Sequence, residues 1–127
     1  EEAMLIEEEL CYEVRGAAIH VHRALGPGLL ESAYDKCLAI ELHERNIPFE
    51  HQVLLPISYR GHLIEDAYRA DFIVDKRVVI EVKAVSKVLP VHLSQIHTYV
   101  RLTGCRLGLL MNFHSPKLID GITRVVY

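Results

Sequence analysis

The sequence predicts an α/β (α+β) sandwich in which helices flank a mixed β-sheet, with the order α-α-β-β-β-α-β(-β). Three observations predict it. Apolar residues recur at spacings of three and four over roughly the first 45 residues, and from Phe49 they change to alternation. A single later helical stretch then separates this strand run from another apolar strand. A helix in that position brings the following strand back into the same sheet, which makes the sheet mixed.

Each element follows from local residues. Over residues 5–25, Ile6, Leu10, Val14, Ala17, Ala18, Val21 and Leu25 form one apolar stripe, and Gly26-Pro27-Gly28 ends the helix. A second helix is expected over residues 29–45, with Tyr34, Leu38, Ile40 and Leu42 apolar and with Asn46 and Pro48 marking its end. Val53, Leu55 and Ile57 then alternate into a turn at residues 59–62. Two more strands are expected over residues 68–74 and 78–84, joined through Asp75, Lys76 and Arg77. Pro90 opens a third helix over residues 91–102, which Gly104 ends. Residues 106–112 read as a buried strand and residues 122–127 as a last one.

The 127 residues are the size of one domain, expected to span 1–127. Half are hydrophobic and 24% are charged, which excludes a disordered or fibrous chain. There is no apolar run of about 18 residues, so no membrane partner is expected. The acidic start does not resemble a signal peptide, and the expected location is cytoplasmic. Glu1 to Ala3, which precede Met4, are expected to be vector-derived. Cys11, Cys37 and Cys105 are too widely spaced for a zinc module and are odd in number, so reduced, buried thiols are expected. The net charge of −3 argues against holding nucleic acid by bulk electrostatics. The two halves differ, however. Residues 1–60 carry 5 Lys+Arg against 11 Asp+Glu, and residues 61–127 carry 9 against 6, so a polyanion would meet the second half.

The chemistry concentrates in the strands around residues 75–77. A three-residue loop there pairs Val74 with Val78, Phe72 with Ile80 and Asp71 with Glu81. Two carboxylates then lie opposite each other with Cβ atoms about 5 Å apart, and Lys83 follows two residues on. A two-residue loop would instead place Asp71 and Glu81 on opposite faces. Glu81 and Lys83 share one strand face, and Val78, Ile80 and Val82 form the apolar other. Carboxylates this close repel unless a cation sits between them, and open oxygen sites of this kind suit Mg²⁺ or Mn²⁺. The plain alternative is a surface hairpin whose Glu81 and Lys83 are solvated.

Asp71, followed by Glu81 and Lys83 on the neighbouring strand, resembles the core of the PD-(D/E)XK nuclease superfamily. That resemblance implies a restriction-endonuclease-like core of helix, three-stranded meander, helix and strand. Gly28, Glu31 and Tyr34 resemble the motif of the GxxExxY proteins, a small bacterial family placed in that superfamily, and segments 21–32 and 89–95 are similar to it too. The likeness covers nearly the whole chain. It implies Asp71, Glu81 and Lys83 as catalytic residues, Glu31, Asp71 and Glu81 as metal ligands, and Tyr34 as support beside Glu31. Glu31, Tyr34 and Asp35 do share a helix face at i, i+3 and i+4. Glu31 also reads as a first-turn carboxylate favoured by the helix dipole. Gln95 and Tyr99 resemble the Q-x-x-x-Y motif of RecB-type exonucleases, and they share a helix face with His92. A core Tyr99 with solvated Gln95 and His92 is the bland reading of that face. Arg69, Lys87, His92 and Arg101 are candidate substrate contacts.

Other chemistries are poorly supported. His20 and His22 do not share a helix face, His43-Glu44 lacks the second histidine of a zinc-protease motif, and no P-loop or dinucleotide fingerprint is present. The expectation is therefore a metal-dependent nuclease using Mg²⁺ or Mn²⁺ to hydrolyse phosphodiester bonds in nucleic acid, DNA first. The alternative is a non-catalytic nucleic-acid- or protein-binding scaffold that keeps the fold. A chain of this length has little room for a sequence-reading module, so specificity would call for a homodimer or a protein partner.

Overall fold

The computed structural model describes residues 7–127; Glu1 to Ala3, and Leu5 and Ile6 of the first expected helix, lie outside them. Helix α1 spans Glu8–Leu25 and buries Leu10, Cys11, Val14, Ala17, Ala18, Val21 and His22, the stripe that the spacing of three and four demands. Gly26, at φ 75°, ends it by donating its N–H to the His22 carbonyl. Helix α2 spans Glu31–Glu44 and buries Tyr34, Asp35, Leu38 and Leu42. Ile40, counted in its apolar pattern, is instead 62% exposed, because it lies off the stripe set by residues 34, 38 and 42.

Strands β1 (Phe49–Tyr59), β2 (His62–Val74) and β3 (Val78–Lys83) form the expected meander. Helix α3 (Pro90–Thr103) then leads to β4 (Leu107–Asn112), and a short 3₁₀ turn at Leu118–Gly121 precedes β5 (Ile122–Val126). The sheet order is β1-β2-β3-β4-β5, with β3 and β4 parallel and the other neighbours antiparallel. Strand β2 starts six residues earlier than the sequence predicts. Arg60 and Gly61, at φ 50° and 80°, turn the chain directly back on itself. The loop at residues 75–77 has three residues, as expected. Without a glycine it closes by placing Asp75 and Lys76 in the left-handed region, at φ 49° and 57°.

The sheet is covered on both faces. Helices α1 and α2 pack on Phe72, Val74, Val78, Ile80, Val82, Leu107, Leu109 and Met111. Helix α3 packs through Ile96, Tyr99 and Val100 on Ala70, Ile73, Val79 and Leu110. Strand β3 is therefore not apolar on one face and charged on the other, since Val79, on the Glu81 side, is fully buried. Strands covered on both sides need apolar residues at nearly every position, as β4 shows. Gly108 permits the close approach of α3. A Cβ there would lie 2.8 Å from Val100 Cγ2 and 3.0 Å from Ile96.

One irregularity positions the site. Phe72 and Val74 face α1 and α2, yet Ala70 packs on the α3 side with Ile73. In β1, His51 stacks on Phe72 while Val53 and Leu55 pack on the α3 side. The two strands thus exchange faces together, at Gln52 and Asp71, where Gln52 takes φ 56°. Because both strands reverse at the same level, the pairings His51↔Phe72 and Val53↔Ala70 keep one register.

Candidate active site

Asp71 and Glu81 lie where the β2–β3 ladder, carried by Val74↔Val78 and Phe72↔Ile80, gives way to side-chain bonding. Glu81 Oε2 accepts the backbone N–H of Asp71 at 2.8 Å, and Asp71 Oδ2 accepts that of Val82 at 2.8 Å. Each carboxylate satisfies a backbone donor next to the other, which keeps two like charges together. Glu81 is only 4% exposed and Asp71 is half-buried, so a solvated surface hairpin does not describe them. Burial, followed by the neighbouring Asp71 charge, pushes the Glu81 carboxyl up to about 8. Asp71 is also raised, first by burial and then by the charges of Asp35 and Glu31, against the lowering effect of its bond from Val82.

Both groups open onto a shallow cleft of about 530 Å³, lined also by Glu31, Arg69, Lys83, Gln95 and Tyr99. These side chains come from α2, β2, β3 and α3. Lys83 Nζ donates to Gln95 Oε1 at 3.3 Å, which holds the ammonium beside the carboxylates. Asn112 and Phe113 brace the end of β3. The Asn112 amide exchanges two hydrogen bonds with the Val85 backbone, and the Phe113 N–H donates to the Lys83 carbonyl. Tyr99, deep in the α3 cluster, has its phenol pushed up to about 12 by burial and by the nearby Glu81 and Asp71 charges. Bonds from the Arg69 backbone and the Gln95 side chain act the other way.

Glu31 is exposed at the start of α2 and lines the same cleft, and its charge raises both Asp71 and Glu81. Tyr34 does not reach the cleft. It is fully buried against Phe113, its ring stacked at 4.7 Å, and its hydroxyl donates to the Gly26 carbonyl at 2.5 Å and accepts the Leu29 N–H at 3.1 Å. Those bonds close the loop around Gly28, at φ 99°, and so set where Glu31 begins the helix. Lys87, His92 and Arg101 do not line the cleft either. His92 Nδ1 instead accepts the Leu89 N–H, capping α3.

Among the described residues, no group of three or more His, Cys, Asp or Glu side chains converges closely enough to hold a metal. The Asp71–Glu81 pair still suits a hard divalent cation. Mg²⁺ commonly uses one or two carboxylates and takes its remaining ligands from water and phosphate. Glu81 Oε1 is not engaged by the bond from Asp71, so that oxygen is available.

The sequence placed Asp35 on the Glu31 helix face without assigning it a role, and it did not single out His51 or Gln52. His51 Nε2 lies 2.7 Å from Asp35 Oδ2, and Gln52 Nε2 donates to Asp35 Oδ1 at 3.1 Å and Asp71 Oδ1 at 3.3 Å. The available signal was the position of Asp35, four residues after Glu31 on a shared helix face. Nothing local announced Gln52.

Comparison with known proteins adds one family. The model of the PD-(D/E)XK nuclease superfamily matches residues 8–125. No curated protein and no solved structure shows a significant match. The matched span contains β1 to β4, β5 up to Val125 and both carboxylates of the ladder's end: this chain belongs to the PD-(D/E)XK nuclease superfamily.

Proposed function

We propose that the chain is a Mg²⁺- or Mn²⁺-dependent nuclease of the GxxExxY type that hydrolyses phosphodiester bonds in DNA. Membership of the superfamily already carries nuclease-type function and contact with nucleic acid, and its nucleases generally use divalent metal ions. The observation that carries the finer reading is the Asp71–Glu81 pair, one half-buried and one buried carboxylate held together at a cleft beside an ammonium. Two negative groups in so little water are costly, and the proton that the raised Glu81 carboxyl retains without metal is what a divalent cation would replace.

In this reading Asp71 and Glu81 hold the cation, and Glu31 adds negative charge from the rim of the cleft. A divalent cation bound there supplies Lewis-acid polarisation of the scissile phosphate and makes a water more acidic. Lys83 stabilises negative charge at the reacting phosphate or orients the attacking water, and Gln95 holds Lys83 in place. Arg69, exposed at the rim, contacts a flanking phosphate. Tyr34 acts at a distance by fixing the loop before Glu31.

A non-cleaving scaffold is the second reading, favoured by the absence of a third converging ligand among the described residues. Calorimetric titration of Mn²⁺ into the wild type and Asp71→Ala separates the two, with cleavage of plasmid and single-stranded DNA followed on the same samples. Binding and cleavage that disappear together in the variant support the nuclease. A well-folded wild type that neither binds Mn²⁺ nor cleaves overturns it.

A further inference from the structure

We infer that Gln52, anchored by Asp35, is a positioning residue that fixes the orientation of the Asp71 carboxylate; the inference rests on the nuclease reading above. Gln52 stands opposite Asp71 in the β1–β2 register, at the level where both strands exchange faces. Its side-chain nitrogen carries two protons and is within hydrogen-bond reach of two carboxylates, at 3.1 Å from Asp35 Oδ1 and 3.3 Å from Asp71 Oδ1. Turning the amide over would aim its carbonyl oxygen at both, so one orientation is enforced.

Asp35 is itself immobilised. It is buried, its other oxygen is 2.7 Å from His51 Nε2, and the His51 ring stacks on Phe72 at 4.5 Å. Asp71 therefore receives one donor from each side, Gln52 on β1 at Oδ1 and the Val82 N–H on β3 at Oδ2. Two donors from two strands define the plane of the carboxylate, and with it the direction of the lone pairs left for a cation. Partners of this kind orient a ligand and tune its affinity without touching the metal.

The backbone supplies the second argument. Gln52 adopts φ 56° in the middle of a strand, a conformation disfavoured for any residue with a Cβ. If position 52 served only to reverse the strand faces, glycine would do so at lower cost. A glutamine in this conformation, with its amide shared between two carboxylates, points to the side chain as the group the site requires.

That contrast gives the test. Mn²⁺ is titrated calorimetrically into wild type, Gln52→Gly and Gln52→Asn, with thermal melting and steady-state DNA cleavage on each. Glycine accepts the left-handed backbone, and asparagine tolerates it but is one methylene too short to span both carboxylates. Both variants are expected to melt cooperatively like the wild type, to bind Mn²⁺ about ten- to a hundredfold more weakly, and to lose kcat with KM for DNA little changed. Wild-type Mn²⁺ affinity in either folded variant overturns the inference. If Gln52→Gly does not fold, Gln52→Asn alone carries the comparison. A wild type that binds no Mn²⁺ defeats the nuclease reading and this inference together. A wild type that binds and cleaves, with variants to match, defeats only this one.

Discussion

Asp71 and Glu81 each accept a backbone N–H beside the other, at 2.8 Å in both directions, at the point where the ladder between their strands ends. Side chains there do the work of the sheet. The arrangement gives two repelling carboxylates enough hydrogen bonds to stay adjacent, and the energetic tension between them sets how the protein responds to protons and cations.

The response to pH follows from Glu81, whose carboxyl is raised from 4.5 to about 8 in the folded chain. Below about 4.5 it is neutral whether folded or unfolded, and its contribution to stability is fully present. As pH rises from about 4.5 to about 8, unfolding releases a proton that folding retains, so that contribution is progressively lost. The raised Asp71 acts in the same direction. Without metal, wild type should therefore resist urea better at the acid end of this window than at its alkaline end. Glu81→Gln should flatten the dependence, and a variant as sensitive to pH as the wild type would remove Glu81 as its source. Mn²⁺ must displace the proton, so its apparent affinity should tighten as pH rises towards 8.

Lys83→Ala should separate binding from chemistry. The ammonium is held at 3.3 Å from Gln95 Oε1 and is no ligand, so Mn²⁺ affinity should persist. Loss of a preorganised positive group should lower kcat by about 10²–10³-fold. Single-turnover cleavage at saturating Mn²⁺ measures this, and an unchanged rate would exclude Lys83 from the reaction.

Tyr34→Phe should destabilise the fold by about 0.5–1.5 kcal/mol, because the Gly26 carbonyl and the Leu29 N–H both lose the phenol. Chemical denaturation provides the value. Mn²⁺ affinity should change little, since the loop that the hydroxyl braces positions Glu31 at the rim of the cleft and not the Asp71–Glu81 pair.

Gly108→Ala should cost about 1–3 kcal/mol by overpacking. The new methyl group would meet Val100 Cγ2 at 2.8 Å and push α3 away from the sheet. That helix carries Gln95 and Tyr99, so cleavage should fall along with stability. A stable, fully active variant would show that the close approach is not needed.

Much of this protein is legible in one dimension. The change of period at Phe49 marked the passage from helices to strands, and Pro90 and Gly104 bracketed α3. The three-residue loop at 75–77 implied the Val74↔Val78 and Phe72↔Ile80 pairs, and hence that Asp71 and Glu81 are neighbours. These are local facts, since periodicity and loop length depend on residues close in the chain. Other features depended on distant segments. Alternation alone left Glu81 solvated or buried, and the packing of α3 and the ladder's end made it buried. The Gly28, Glu31 and Tyr34 spacing placed two residues on one helix face, but Phe113 and the Gly26 carbonyl turned Tyr34 inward as a brace. The shared reversal at Gln52 and Asp71 breaks the very alternation from which strand faces are read. The Asp35–Gln52–Asp71 chain that follows from it joins α2, β1 and β2, segments far apart in sequence. Local residues specify the kinds of element, their order and the carboxylate pair; what surrounds that pair comes from packing in three dimensions, because burial and long-range hydrogen bonds are properties of segments that meet in space.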